Sequence, residues 1–148
     1  MEEYHKAVLL QESVDALVGS ERDGVYVDAT FGGGGHSREI LSRLGPDGRL
    51  IALDKDEEAL ANAPEDERLT LVHGDFRFVH HFVRYHGGRT VDGILADLGV
   101  SSHQFDTEER GFSFRFENAP LDMRMNPRAR VCAADIVNSY SGEDLERI

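Results

Sequence analysis

Four short apolar segments alternate with helix-like segments between residues 24 and 98, and this alternation constrains the fold more than any other feature. The apolar segments span residues 24–28, 49–54, 69–73 and 91–98. The segments between them, each closed by Gly or Pro, span residues 38–44, 57–63 and 76–85. Strands that alternate with helices in this way predict a parallel sheet with helices on both faces and right-handed crossovers. The predicted fold class is therefore α/β, with a doubly wound and mostly parallel sheet.

The pattern is different on either side of this region. Leu10, Val14 and Leu17 share one face of a predicted helix that ends at Gly19. Residues 101–130 are polar, contain Arg and Phe, and no longer alternate between strand and helix. Helical spacing returns at residues 133–140 and at the carboxyl terminus.

Composition narrows the class of protein. The 148 residues carry a net charge of −12, which argues against a nonspecific DNA coat. No apolar run approaches the ~18 residues of a membrane span, and the amino terminus does not resemble a secretory signal. Cys132 is the single cysteine, which excludes an internal disulfide framework and a Cys-based zinc site. We therefore expect a soluble, cytoplasmic protein with no membrane or DNA partner.

Aspartates stand at the carboxyl ends of all four predicted strands: Asp28, Asp54, Asp75 and Asp97. A single aspartate at such a position would serve equally well as a helix N-cap. Ligands of open parallel sheets bind beyond the carboxyl ends of the strands. Four aspartates at that edge predict a cradle for a polar ligand.

The first strand leads into a glycine-rich turn, residues 32–35, followed by His36. The dinucleotide fingerprint G-x-G-x-x-G fails at its third glycine, and no P-loop Lys-Ser/Thr follows. A plain tight turn is the alternative. Asp54 follows Gly34 at the spacing of about 20 residues at which an acid binds ribose hydroxyls. This spacing favours an adenosine-containing ligand, although Asp54 would also fit an ordinary surface position in a charged run.

Other polar and aromatic residues have two interpretations each. Phe76 is suited to packing on an adenine, with Asp75 near the amino group of that base, or else to the ordinary core. His80, His81 and His86 lack metal-ligand spacing, so a solvated helix face is expected and no metal site is predicted. Between residues 110 and 130, five arginines face only two acids, and a local basic patch of this kind can bind RNA.

Six motifs together resemble the ribosomal RNA small subunit methyltransferase H family. They are Asp-Ala-Thr-Phe-Gly-Gly-Gly-Gly-His-Ser (28–37), Leu-Asp-Lys-Asp (53–56), His-Gly-Asp-Phe (73–76), Asp-Leu-Gly-Val-Ser-Ser (97–102), Glu-Arg-Gly-Phe-Ser-Phe (109–114) and Pro-Leu-Asp-Met-Arg-Met (120–125). The opening His5-Lys-Ala-Val-Leu-Leu is also similar, and the resemblance runs from about residue 4 to 140.

The resemblance implies a class I, Rossmann-like enzyme dependent on S-adenosylmethionine. It implies methylation of the N4 amino group of a cytidine in the decoding region of 16S ribosomal RNA, within the small ribosomal subunit. The cofactor contacts that it implies are Gly34, Gly35, His36, Asp54, Phe76, Asp97 and Gln104. The backbone at residues 98–100 is the candidate acceptor for the N–H of the target, and no catalytic base is identified.

Proteins of this family are about twice as long as this chain. The chain is therefore predicted to contain only the first part of each of two domains. Residues 1–105 correspond to the first part of the cofactor-binding domain, with an incomplete sheet. Residues 106–148 correspond to the start of an inserted helical domain that contacts RNA. The RNA-contact candidates are Arg110, Phe112, Phe114, Arg115 and Arg124. The alternative is a loop that packs its Phe side chains and solvates its Arg side chains.

Two other functions remain open on the sequence. One is an inactive fragment that binds only cofactor or RNA. The other is a nicotinamide-dependent oxidoreductase, which the failed third glycine and the lack of a hydride-transfer site disfavour.

Overall fold

A computed structural model describes residues 7–86, 88 and 90–148. His5, Lys6 and Gly87, which take part in the sequence predictions, lie outside these residues. The chain forms two compact units, with the boundary between Gly99 and Val100. The domain division after residue 105 concerns the domains of the family and remains a prediction.

The first unit is a four-stranded, wholly parallel sheet with the strand order β3-β2-β1-β4. Its strands are β1 (Val25–Asp28), β2 (Arg49–Asp54), β3 (Leu69–His73) and β4 (Gly93–Leu95). Its helices are α1 (Leu10–Val18), α2 (Gly35–Arg43) and α3 (Val79–Tyr85), with 3-10 turns at Glu57–Asn62 and Phe76–Phe78. The predicted α/β class and parallel sheet are confirmed.

Successive residues of the central strands point to opposite faces of the sheet, as the pleat requires. Tyr26 and Leu50 pack on one face in a core that also contains Val14, Val18, Ile40, Leu41 and Leu44. Val27 and Ile51 pack on the other face in a core that also contains Leu53, Val72 and Val83. Helices α1 and α2 therefore cover one face, and α3 covers the other.

Strand β1 is the point at which the order of the strands reverses. The strands β2 and β3 are added on one side of β1, and the chain then crosses to the other side for β4. The register aligns Asp28 with both Ala52 and Leu95, so the carboxyl ends of these strands lie at one edge. This reversal opens the crevice in which such sheets bind ligands.

Three segments differ from the sequence prediction. Strand β4 covers only Gly93–Leu95 instead of residues 91–98. At one end of β4, the Asp92 carboxylate accepts a hydrogen bond from Val25 N at 2.7 Å, and at the other end Asp97 N donates to Thr30 Oγ1 at 2.7 Å. Side chains therefore replace the backbone hydrogen bonds between β1 and β4 at both ends of the strand. The helix predicted at 57–63 is a 3-10 turn, and α2 begins at Gly35 instead of Arg38.

The second unit contains α4 (Ser102–Asp106), α5 (Ala133–Ser139) and α6 (Gly142–Leu145), with a 3-10 turn at Glu108–Arg110. Helix α4 lies in a stretch that sequence analysis left irregular. It begins with a capping box, in which Ser101 Oγ accepts from Gln104 N and Gln104 Oε1 accepts from Ser101 N. In the described part of the chain, every helix is too short or too polar to cross a bilayer.

Burial of Ile40 gives a test of this packing. Ile40 of α2 is fully buried in the core on this face of the sheet, whereas Ile148 is 82% exposed. We expect Ile40→Ala to lower the free energy of unfolding by about 2–5 kcal/mol, because it removes buried methyl groups and leaves a cavity. The matched change Ile148→Ala is expected to alter it by less than about 0.5 kcal/mol. Urea unfolding followed by circular dichroism measures both, and equal effects would contradict the packing described.

Candidate functional site

The loop after β1 crosses the ends of both neighbouring strands. Ala29 N donates to Leu95 O of β4 at 2.8 Å, and Phe31 N donates to Leu53 O of β2 at 2.9 Å. The loop therefore forms the floor of the crevice at the carboxyl edge of the sheet. This is the position at which the sequence predicted a polar ligand cradle.

The glycine-rich turn depends on residues without a side chain. Gly32 and Gly34 have φ values of 51° and 76°, in the left-handed region that glycine adopts most easily. A Cβ at Gly34 would lie 2.9 Å from the ring of Phe31, which is itself buried. Gly34 also precedes α2 and donates its N–H to Phe31 O at 2.8 Å. The turn is thus tightly built around glycine, with its backbone at the crevice.

Asp28 is completely buried beneath this turn. Its carboxylate accepts hydrogen bonds from Ser37 Oγ at 2.7 Å and from Thr30 N at 3.1 Å. Burial raises the pKa of Asp28 above its ordinary value, and these two hydrogen bonds lower it by less. Asp28 therefore joins the end of β1 to the first turn of α2 and shapes the cradle from below.

Asp54 connects two loops at the rim of the crevice. Its Oδ2 accepts from Gly32 N at 2.8 Å, and its Oδ1 accepts from Asp56 N at 2.9 Å. Each carboxylate oxygen can accept a second hydrogen bond. Asp54 can therefore hold the glycine turn and accept a ligand hydroxyl at the same time.

His36 and Asp97 lie together where the loops after β1 and β4 meet. His36 is 6% exposed, and its Nε2 lies 3.2 Å from Val8 O. Its Nδ1 lies 3.9 Å from Asp97 Oδ2, and the Asp97 side chain is half exposed. The Val8 carbonyl thus holds one side of the His36 ring and the other side faces Asp97, whose carboxylate remains accessible to a ligand.

Phe76 follows β3 at the same edge of the sheet. Its side chain is 38% exposed, which does not fit the ordinary core position considered from the sequence. The Nζ of Lys55 lies 5.8 Å from the centre of its ring. Asp75 accepts a hydrogen bond from Arg77 N at 3.0 Å and so caps the turn that begins at Phe76.

The RNA-contact candidates fall in the second unit. The guanidinium of Arg110 is buried and donates to the carbonyls of Arg124 and Met125, both at 3.1 Å. Arg124 pairs with Asp122 at 2.6 Å, which holds the pKa of that carboxyl below its usual range. The structure thus brings Arg110 and Arg124 together.

The remaining candidates of this unit are more open. Phe114 is fully exposed, and Phe112 is partly buried with its ring centre 6.0 Å from Arg110 Cζ. Arg115 is exposed and pairs with Asp106. Gln104 is buried, and its side chain completes the capping box of α4.

Two residues that hold the turn from below were not among the sequence candidates. Thr30 Oγ1 accepts a hydrogen bond from Asp97 N, and Ser37 Oγ donates one to the Asp28 carboxylate. The available signal was a pair of small hydroxyl residues on either side of the glycines. Among the described residues, no three His, Cys, Asp or Glu side chains form a cluster suited to a metal ion.

The reversed parallel sheet, the glycine turn over it and the acidic rim define a Rossmann-like α/β fold with a crevice at the switch point, the position at which such sheets bind their ligands. The sequence model of the MraW methylase family matches residues 2–148. The chain therefore belongs to the MraW methylase family.

Individual relatives agree with this family. The chain is 60% identical over 146 residues to ribosomal RNA small subunit methyltransferase H of Flavobacterium johnsoniae, covering 99% of this chain and 48% of that protein. It is 61% identical over 145 residues to the protein of the same name from Bacteroides fragilis, covering 98% and 47%. The chain thus spans about half the length of the curated relatives that it matches.

The buried carboxyl of Asp28 leads to a prediction about pH. Because its pKa is higher in the folded chain than in the unfolded chain, its contribution to stability is fully present below about pH 4 and is lost as the pH rises through the folded pKa. Asp28→Asn does not titrate and can satisfy the same two partners. We expect the variant to gain stability relative to the unchanged chain as the pH rises, by about 1.4 kcal/mol for each unit by which the pKa is raised.

Urea unfolding of both proteins at several pH values between about 4 and 8 measures this difference. A difference that stays constant over this range, or that grows in the opposite direction, would contradict the assignment of Asp28.

Proposed function

We propose that the chain is the cofactor-binding half of an S-adenosylmethionine-dependent methyltransferase. The proposed substrate is the N4 amino group of a cytidine in the decoding region of 16S ribosomal RNA, within the small ribosomal subunit. Membership of the MraW methylase family and the name shared by the relatives support this proposal. The proposal puts the protein in the cytoplasm.

The observation that carries the proposal is the set of hydrogen-bond acceptors around the crevice. Asp54 and Asp97 place carboxylates on its rim, and the turn between them is built from glycine. S-adenosylmethionine supplies an electrophilic methyl group on a positively charged sulfur when it is bound. Its ammonium group and ribose hydroxyls are donors, and its charge is opposite to that of the rim. The residues present therefore fit this cofactor.

Each side chain of the crevice then has a role. Gly34 and Gly35 are the proposed backbone contacts of the cofactor, and Asp54 accepts from the ribose hydroxyls while it holds Gly32. His36 lies beside Asp97, whose carboxylate accepts from an amino group of the cofactor. The exposed ring of Phe76 is available to stack on adenine. Gln104, in the second unit, remains a proposed cofactor contact.

The segment after β4 is the proposed position of the target base. Gly99 has a φ of 150°, and a Cβ there would meet no atom within 4 Å, so this backbone has open space beside it. A cytosine amino group is a poor nucleophile, and carbonyl acceptors at residues 98–100 would orient its N–H. Catalysis would come largely from holding the two reactants in line. No general base is assigned.

The RNA-contact proposal for the second unit rests on exposed planar groups. Phe114 and Arg115 are exposed and suited to stacking on unpaired bases. Arg110 and Arg124 are engaged with backbone carbonyls, so we assign them to holding the loop that presents these groups. Phe112 lies beside Arg110, and we assign it to the same role in holding the loop.

Neither alternative function gains support from the comparisons. The relatives described above bear the name of a ribosomal RNA methyltransferase, and the family match extends over residues 2–148. The binding experiment below separates the nicotinamide-dependent alternative from the proposal.

Calorimetric titration of S-adenosylmethionine and of NAD into the purified chain tests the cofactor. We expect saturable binding of S-adenosylmethionine only. Asp54→Ala and Asp97→Ala should each weaken it by about 10- to 150-fold, because each removes a charged acceptor. Asp47→Ala, an exposed aspartate at the opposite edge of the sheet, is the matched control and should bind normally.

The two rim variants separate binding from folding. Asp54→Ala also frees Gly32 N, whereas the Asp97 side chain accepts no hydrogen bond from the glycine turn in the described structure. Binding of NAD instead of S-adenosylmethionine, or normal affinity in folded Asp97→Ala, would contradict the proposal.

Deletion of the gene in the source organism tests the site of methylation. We expect the N4-methyl group of the decoding-region cytidine to disappear from 16S ribosomal RNA, as measured by mass spectrometry of its nucleosides. The unchanged gene should restore it, and a copy that carries Asp97→Ala should not. An unchanged N4-methyl signal after deletion would refute the proposed substrate.

A further inference from the structure

One surface of the first unit lies outside the crevice and differs from the rest of the chain in its charge and in its exposed aromatic rings. It is the outer surface of the 3-10 turn and helix between residues 77 and 85, here called the α3 outer face. Its exposed residues are Arg77, Phe78, His80, His81, Arg84 and Tyr85.

The charge of this face is opposite to that of the protein. No Asp or Glu occurs between Asp75 and Asp92, which is the longest such interval in a chain with a net charge of −12. Arg77 is 70% exposed, and its Nε lies 3.6 Å from the Asp75 carboxylate. Arg84 forms no ion pair with any described residue. The α3 outer face is therefore a basic surface within an acidic molecule.

Aromatic rings are exposed on the same face. Helix α3 packs Val79, Phe82 and Val83 into the core, which turns the intervening side chains toward solvent. Tyr85 is 85% exposed and Phe78 is 44% exposed. Neither ring is needed to complete the core, so their exposure is not explained by packing.

The planar groups of this face already lie against one another. The Arg77 guanidinium lies 4.7 Å from the centre of the Phe78 ring. The rings of His80 and His81 have centres 3.7 Å apart. Aromatic rings and guanidinium planes interleaved with positive charge are the groups on which unpaired RNA bases stack. A solvated helix face would need the charges but not the rings.

The face begins at the edge of the sheet where the crevice lies. Arg77 and Phe78 follow directly after β3 and Asp75, at the carboxyl ends of the strands. The helix then carries Arg84 and Tyr85 away from that edge. Strand β3 lies at one end of the strand order and β4 at the other, so an RNA strand with its target base beside the segment after β4 would meet this face with nucleotides farther along the strand.

We infer that the α3 outer face binds single-stranded RNA on the strand that carries the nucleotide being modified. Arg77 and Arg84 neutralise phosphates, and Phe78, His81 and Tyr85 stack on bases. This inference rests on the proposed function for the identity of the nucleic acid, and it adds a contact surface in the first unit.

Fluorescence anisotropy with a labelled single-stranded RNA of roughly 16 nucleotides, the upper end of common site sizes, tests the inference. The variant R77Q/R84Q should weaken binding and reduce the slope of log affinity against log salt by about 1.4, since each phosphate contact contributes about 0.7. Tyr85→Ala should weaken binding by about 5- to 150-fold through the loss of one stacked base.

The matched control is R22Q/R49Q, which removes the same charge at the opposite edge of the sheet and should leave the affinity and the slope unchanged. Thermal unfolding checks that each variant is folded. We expect all of them to be folded, because the substitutions are at exposed positions. Calorimetric titration of S-adenosylmethionine into R77Q/R84Q should give normal affinity, which separates this surface from the crevice.

Equal RNA affinity for R77Q/R84Q and R22Q/R49Q would overturn the inference and would leave a protein partner as the occupant of the face. A chain that binds S-adenosylmethionine but no RNA would also overturn it, without affecting the cofactor proposal. A chain that binds RNA through this face but no S-adenosylmethionine would support the inference and refute the proposed cofactor.

Discussion

The buried carboxylate of Asp28 is the interaction on which the crevice depends. An ionisable group with no solvent exposure is costly unless it is neutralised or well hydrogen-bonded. Asp28 is held by Ser37 Oγ and Thr30 N, one on each side of the glycine turn. Thr30 in turn accepts from Asp97 N, so the same contacts fix the start of the segment after β4. One buried group thereby sets the positions of two loops that together form the rim.

The architecture could be predicted from the sequence because strand patterning and burial agree in this chain. The segments around Val27, Ile51 and Val72 are apolar runs between polar loops, and all three residues are buried in the sheet. The aspartates that follow such runs fall at one edge because the sheet is parallel. Asp54 is therefore the last residue of β2 as predicted, whereas Asp97 follows the end of β4 by two residues because that strand is shorter than predicted.

The remaining features depend on tertiary contacts that a linear pattern does not contain. Strand β4 is short because Asp92 satisfies Val25 N with a side chain, and apolar content alone does not reveal this. Helix α4 exists through the reciprocal bonds of Ser101 and Gln104 in a polar stretch. Arg110 was expected at the surface, yet its guanidinium is buried against carbonyls fourteen and fifteen residues away in the chain. Such pairings are set by the folded loop.

The distribution of charge reconciles an acidic chain with the proposed nucleic-acid substrate. A net charge of −12 opposes binding of a polyanion if the charge is spread evenly. Here the carboxylates of Asp54 and Asp97 lie at the crevice, where the proposed cofactor brings a positive sulfur and an ammonium group. Arginines and rings occupy the α3 outer face, where the proposed RNA strand would bring phosphates and bases. Each surface can therefore bind a ligand of opposite charge, although the molecule as a whole is acidic.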